Sequence, residues 1–244
     1  MLVLSCSATL GLQGQSSSSQ PDQQPAAPAQ AQPTPSQPPL TVQARIRARR
    51  EQRRAAAIHD SYSHLYETYV GAGYLRFHPG DGAVAGQKLQ KVNEYAWDLG
   101  FTRYYSERLG VTIDGRGTYG TAYVGNPLAT NGAINKPAIS QYAGMIGPTY
   151  RFVLNPKYSV SGRILAGGAY GIFSGDTGSF GPTAVGLYPD GASVMVSASV
   201  PVEYNVSPNL ALRVAPEYVL TNFGSEIQNN LGFTAGVVVR FGKR

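Results

Sequence analysis

Asn229-Asn230-Leu231-Gly232-Phe233-Thr234-Ala235-Gly236-Val237-Val238-Val239-Arg240-Phe241-Gly242 alternates two kinds of side chain. Leu231, Phe233, Ala235, Val237, Val239 and Phe241 share one parity, and Asn230, Gly232, Thr234, Gly236, Val238 and Arg240 the other. A period of two is the signature of an extended strand, here with one greasy face and one small or polar face. Seven segments upstream repeat it: Tyr66–Phe77, Val92–Tyr105, Leu109–Tyr119, Ile139–Val153, Tyr158–Ile172, Ala192–Tyr204 and Leu210–Leu220. With Asn230–Phe241 they predict eight strands, each about ten residues or more, long enough to cross an apolar slab when tilted.

The links between them alternate in length. Ser106–Arg108, Leu154–Lys157 and Asn205–Asn209 are tight turns, carrying steps such as Asn155-Pro156 and Ser207-Pro208. His78–Lys91, Gly120–Ala138, Phe173–Gly191 and Thr221–Asn229 are longer and rich in Gly, Asn, Asp and Pro. Eight up-and-down strands joined this way put every short turn at one end and every long loop at the other, the pattern of barrels that cross an outer membrane. The predicted fold is therefore all-β, an eight-stranded antiparallel up-and-down transmembrane β-barrel.

Composition agrees. Only 14% of the 244 residues are charged, while Gly (29) and Tyr (16) are abundant. Mean hydropathy is −0.18, and no run of about 18 to 20 apolar residues could form a spanning helix. The single cysteine, Cys6, excludes an intramolecular disulfide framework and a multi-cysteine metal site.

Charges sort by strand parity. Glu94 and Asp98 oppose Tyr95, Trp97, Leu99 and Phe101; Asp114 and Arg116 oppose Leu109, Val111 and Ile113. Arg151, Arg163, Glu203, Arg213, Glu217 and Arg240 likewise sit opposite the apolar parity of their strands. A soluble lipocalin-like barrel would turn the apolar set inward around a greasy ligand. The opposite facing is preferred, because the charged parity is also rich in Gly, Ser, Ala and Thr, and an eight-stranded lumen has room only for such filling. Buried charges then pair in a nearly neutral interior. In the first strand Tyr69, Leu75 and Phe77 compete with Val70, Ala72 and Tyr74, and Arg76 is read as inward. Aromatics near strand ends (Tyr66, Tyr69, Phe77, Tyr105, Tyr119, Tyr150, Phe152, Tyr158, Tyr170, Tyr204, Tyr218 and Phe241) are read as interface girdles.

Ahead of the barrel, Met1 to Gly14 reads as the apolar core of a secretory signal, although it lacks a basic start. Gln15 to Leu40 is Ser, Gln, Pro and Ala with one charge, Asp22, and reads as a disordered linker. Thr41 to Ser63 reads as a short basic helix carrying Arg45, Arg47, Arg49, Arg50, Arg53 and Arg54; outside it and the linker only half of the net +6 charge remains. Such a segment suits anionic headgroups or a periplasmic polyanion, or merely leads into the barrel. Nucleic acid is disfavoured because no aromatics interleave the arginines.

Three stretches, Tyr69-Val70-Gly71-Ala72-Gly73-Tyr74, Leu109-Gly110-Val111-Thr112-Ile113-Asp114 and Gly232 to Phe241, make the chain from Tyr66 to Phe241 resemble the eight-stranded outer-membrane protein A and X type of barrel. The resemblance implies an outer-membrane location with both chain ends periplasmic and folding by the barrel-assembly machinery. In that family a terminal-strand aromatic is the assembly signal; Phe241 is the matching residue, with Gly242, Lys243 and Arg244 after it. No peptidoglycan-binding domain is read after the barrel.

Chemistry is scarce. An enzymatic barrel acting on membrane lipid would need a histidine beside a nucleophile near a rim. His59, His64 and His78 read instead as exposed polar residues, and the nearby Ser61 and Ser63 do not make a triad. Asp176-Thr177-Gly178 and Pro189-Asp190-Gly191 are what turns require. No metal or cofactor motif is present. The expectation is a monomeric, non-enzymatic outer-membrane protein in contact with outer-membrane lipid, its long loops serving surface contact or envelope integrity; a lipid-modifying barrel enzyme and a soluble ligand-binding barrel are the alternatives.

Overall fold

A computed structural model describes residues 41–82, 89–124 and 136–243. The signal-like and linker segments, with Cys6, lie outside the described residues, as does the middle of the second long loop. Helix α1 (Val42–Tyr62) leads into nine strands: β1 (His64–Phe77), β2 (Val92–Tyr104), β3 (Leu109–Thr121), β4 (Ala138–Leu154), β5 (Tyr158–Gly175), β6 (Gly191–Ser199), β7 (Val202–Ser207), β8 (Leu210–Thr221) and β9 (Gln228–Lys243). Among the described residues no helix is long and apolar enough to cross a membrane.

The strands close into a ring of eight antiparallel staves. β1 pairs with β9 from Tyr66↔Phe241 to Arg76↔Leu231, leaving no sheet edge along this seam. Gly71 lies opposite Gly236 there, and a Cβ on Gly236 would come within 2.2 Å of the Val70 carbonyl oxygen, so the seam needs its glycines. The sixth stave, expected as one strand over Ala192–Tyr204, is broken into β6 and β7 at Val200-Pro201. Pro201 has no amide hydrogen and cannot extend the ladder. Hydrogen bonds bridge the break: Ser161 N donates to Pro201 O (2.9 Å) and Val200 N to Pro216 O (3.1 Å).

The apolar parity faces outward. Leu99 (50% exposed), Ile113 (56%) and Val194 (63%) stand on the outer wall, whereas the charged parity is buried. This is the reverse of a soluble carrier of greasy ligands. Two readings of the first strand are corrected. Pairing with β2 puts Leu75 opposite Glu94, which points inward; because a strand's side chains alternate, Arg76 is turned out and is exposed. By the same register Tyr69 and Phe77 are buried in the lumen and belong to no outer girdle. The remaining girdle residues do reach the outer wall; Tyr66, for example, lies 5.7 Å, ring to ring, from both Phe101 and Phe241.

At the long-loop end the lumen is closed by an apolar cluster that includes Leu75, Phe77, Phe173, Val185, Leu187, Tyr188 and Phe223. Phe173 lies 6.0 Å from Phe77 and 5.3 Å from Phe223. The loop between β5 and β6 folds back over this cluster through a short 3-10 turn at Pro182–Val185. It is tied to the first long loop by Tyr188 N donating to Pro79 O and Gly82 N donating to Gly186 O, both at 3.0 Å.

Candidate functional site

The barrel interior holds most of the chemistry-bearing residues, arranged in tiers. Strand alternation delivers each charge inward, and the tilted ring stacks them. All ten charged residues assigned to the interior by parity are at most 8% exposed.

At the short-turn end, Glu67 accepts from Arg151 Nη2 (2.6 Å), from Arg213 Nη2 and from Arg240 Nε (3.3 Å). Glu203 accepts from Arg213 Nε (3.0 Å), Arg240 Nη2 (2.5 Å) and Ser159 Oγ (3.1 Å). Aromatic rings cover the guanidinium groups: Arg151 lies 3.7 Å from the Tyr104 ring centroid, and Arg151 and Arg240 each lie 5.0 Å from that of Tyr62. Tyr62 is the last residue of α1, so the helix itself closes this mouth.

Midway, Arg116 donates to Glu217 Oε1 (2.7 Å) and to Asp114 Oδ1 (3.1 and 3.2 Å). Arg163 lies 3.5 Å from Asp114 Oδ2, and Asp98 is opposite Arg116 in the ladder. Nearer the long loops Glu94 accepts from Gln141 Nε2 (2.9 and 3.0 Å), without an arginine in salt-bridge range. Interlocked pairs of this kind depend on one another, and removing one member leaves its partners buried without it. Such a lumen is a packed, polar core.

Sequence reasoning missed Glu67, Tyr62 and Tyr104. The first strand's two parities are equally mixed, so nothing in it alone marks Glu67 as inward; its ladder position opposite Arg240 does. Tyr62 belongs to a helix, whose side chains cannot be placed from barrel alternation.

The other candidate residues lie apart from the lumen. Arg45, Arg47, Arg49, Arg50, Arg53 and Arg54 are exposed along α1. Phe241 faces outward at the short-turn end of β9. His59 reaches Glu107 (2.9 Å), and His78 lies 3.3 Å from the Tyr188 hydroxyl. His64, read as exposed, is buried, because it begins β1 at the covered mouth and its Nδ1 lies 3.4 Å from Ser61 O. Ser61 Oγ donates to Ala57 O (3.0 Å), the usual bond of a helical serine to the preceding turn, not to a histidine. Asp190 Oδ1 accepts from the backbone N–H groups of Phe173 (2.5 Å) and Ser174 (3.0 Å), a loop-fixing role. Among the described residues no three His, Cys, Asp or Glu side chains come together as a metal site.

No protein-family model matches the chain. No curated protein matches it either. Solved structures do. The neisserial surface protein A is 14% identical over 72% of this chain and 97% of its own, with a TM-score of 0.50. The attachment invasion locus protein Ail of Yersinia pestis, solved with the heparin analogue sucrose octasulfate, is 18% identical over 72% of this chain and 99% of its own (TM-score 0.44). The N-terminal β-barrel domain of Pseudomonas aeruginosa OprF is 12% identical over 73% of this chain and 98% of its own (TM-score 0.38). At these identities the likeness is one of fold, and the fold is the eight-stranded barrel of outer-membrane proteins.

Proposed function

We propose that this chain is a non-enzymatic outer-membrane barrel that presents its long loops outward, for surface contact or envelope integrity, and keeps both chain ends in the periplasm. The observation that carries the reading is the pairing of an apolar outer wall with a lumen filled by ion pairs and capped at both ends. An apolar wall of this kind belongs in hydrocarbon, and a closed barrel satisfies its backbone there. A filled lumen makes a scaffold and a poor pore. Among the described residues no histidine sits against a serine hydroxyl, which disfavours the lipid-modifying alternative.

The test is reconstitution. The purified chain is expected to require detergent, to migrate differently on gels before and after heating, and to show no conductance comparable to a general porin in planar bilayers. A monodisperse protein without detergent, or porin-like conductance, refutes the reading, and an altered membrane lipid profile on expression would favour the enzyme.

The same reading puts the arginines of α1 on the periplasmic side, against anionic headgroups or a periplasmic polyanion. Each contributes on the order of 1 kcal/mol on an anionic surface, screened within about 8 Å at physiological salt. A peptide spanning residues 41–63 is expected to bind anionic vesicles in a salt-dependent way; salt-independent or absent binding makes the segment a tether.

A further inference from the structure

At the long-loop end β6 and β8 part before β6 is finished. Their ladder runs from Ser199↔Glu217 to Met195↔Thr221 and stops there, although β6 extends outward to Gly191 and stays paired with β5 along Val194, Ser193, Ala192 and Gly191. The chain after Thr221 turns away at Phe223–Ser225, where Gly224 and Ser225 take positive φ (62° and 65°). Between the two strand ends lies a cleft of about 590 Å³, lined by Asp190, Ala192, Ser193, Val194, Asn222 and Ser225, among others.

Ladder geometry decides which backbone groups face that cleft. Val200 N donates to Pro216 O on β8, and Pro201 O accepts from Ser161 N on β5. Successive residues of a strand address alternate neighbours, so the even-numbered residues of β6 turn their N–H and C=O groups toward β8 and the odd-numbered ones toward β5. In the next row Val194 would meet Asn222, but the Ser193 hydroxyl is wedged between them, accepting from Asn222 N (2.7 Å) and donating to Val194 O (3.0 Å). The Val194 N–H and both backbone groups of Ala192 are thereby left without a ladder partner on the β8 side among the described residues.

Unpaired backbone groups along a strand are a template for another strand. We propose that this edge of β6 receives an extended segment of a partner protein, which adds to it by pairing with Ala192 and Val194. The site rests on the outward-loop reading above and names the partner of that surface contact as a polypeptide strand. From Gly191 to Val194 the edge spans roughly 13 Å, so the docked segment is short. Asp190 is the single charged residue lining the cleft. Its Oδ1 is taken by the N–H groups of Phe173 and Ser174, which leaves Oδ2 for an incoming lysine or arginine.

The test is NMR of the full chain, isotope-labelled on nitrogen, in a neutral detergent. In the free protein the amides of Ala192 and Val194 are expected to exchange with solvent at least about tenfold faster than those of Ser193 and Met195, which face β5. On titration with the peptide acetyl-Thr-Val-Lys-Val-Thr-amide the two signals are expected to move downfield and become protected. The same peptide N-methylated at alternate residues should bind at least about tenfold more weakly, and glutamate in place of its lysine should also weaken it. Ala192→Pro removes an N–H that the barrel does not use, so the variant should keep the heat-dependent gel shift and lose peptide binding; the N-methylated peptide makes the same comparison on the unaltered chain. Full protection of Ala192 and Val194 in the free protein, equal binding of the N-methylated peptide, or undiminished binding by folded A192P overturns the site. So does self-association without peptide binding, which would assign the edge to a second copy of the chain. If the chain needs detergent yet fails these tests, the docking site falls and the barrel reading stands; if it needs no detergent, the barrel reading itself falls.

Discussion

Asn205 Nδ2 donates a hydrogen bond to the Tyr62 hydroxyl at 2.7 Å, and that hydroxyl in turn donates to Asn155 O at 2.9 Å. The end of α1 is thereby pinned to the β4–β5 turn and to strand β7. Most of the helix is exposed, so these bonds, the ring's contact with Arg151 and Arg240 and the His59–Glu107 contact hold its end in place. Tyr62→Ala is expected to release it. A free, arginine-rich helix of 21 residues frays in water, so trypsin should cut at the arginines about tenfold faster or more, while the barrel's heat-dependent gel shift is unchanged. Tyr62→Phe, which keeps the ring, should fall between.

Glu67 and Glu94 are both buried carboxylates, yet their replacements should behave oppositely. Glu67→Gln removes the shared partner of three arginines and leaves buried positive charge unpaired, which costs about 3–5 kcal/mol. Glu94→Gln removes a charge that no arginine compensates and should be neutral or stabilising. Urea unfolding of the two variants in lipid vesicles, followed by tryptophan fluorescence of Trp97, reads the difference.

Gly236→Val should prevent closure. The added side chain would meet the Val70 carbonyl at the β1–β9 seam, and the backbone cannot retreat without losing ladder bonds on both sides. A loss of at least about 2 kcal/mol is expected, seen as disappearance of the unheated compact band after refolding into detergent.

Phe241→Ala separates assembly from stability. Its ring packs outward against Tyr66 and Phe101 at 5.7 and 6.4 Å and contributes little to the lumen. If it is the assembly signal, the variant should accumulate several-fold less in the outer membrane of cells while refolding in detergent like the parent protein. Equal reduction in both settings would make Phe241 a packing residue only.

Period-two alternation with graded loop lengths is a local property, written in each strand's own residues, and it was enough for the number of staves, their antiparallel order and the facing of seven of them. Charges such as Asp114, Arg163 and Glu203 could be assigned inward because their strands carry small residues on the same parity. The first strand resisted: Gly71, Ala72 and Gly73 at its centre are small on both parities, so neither face declares itself. Only pairing with β2 and β9 turned Glu67 and Tyr69 in and Arg76 out. The break at Val200-Pro201 was visible as a proline, but whether the wall stayed closed across it depended on partners in β5 and β8.

The barrel and its polarity are written locally in the chain, because alternation and turn chemistry act within a few residues of one another. Which charges meet depends on the closed ring: Glu67 with Arg151, Arg213 and Arg240, Glu94 with no arginine among the described residues, and Tyr62 over the inner mouth. The Glu67 contacts alone join residues 84 to 173 positions apart, and all of them follow from strand register and lumen curvature, which exist only once the ring has closed.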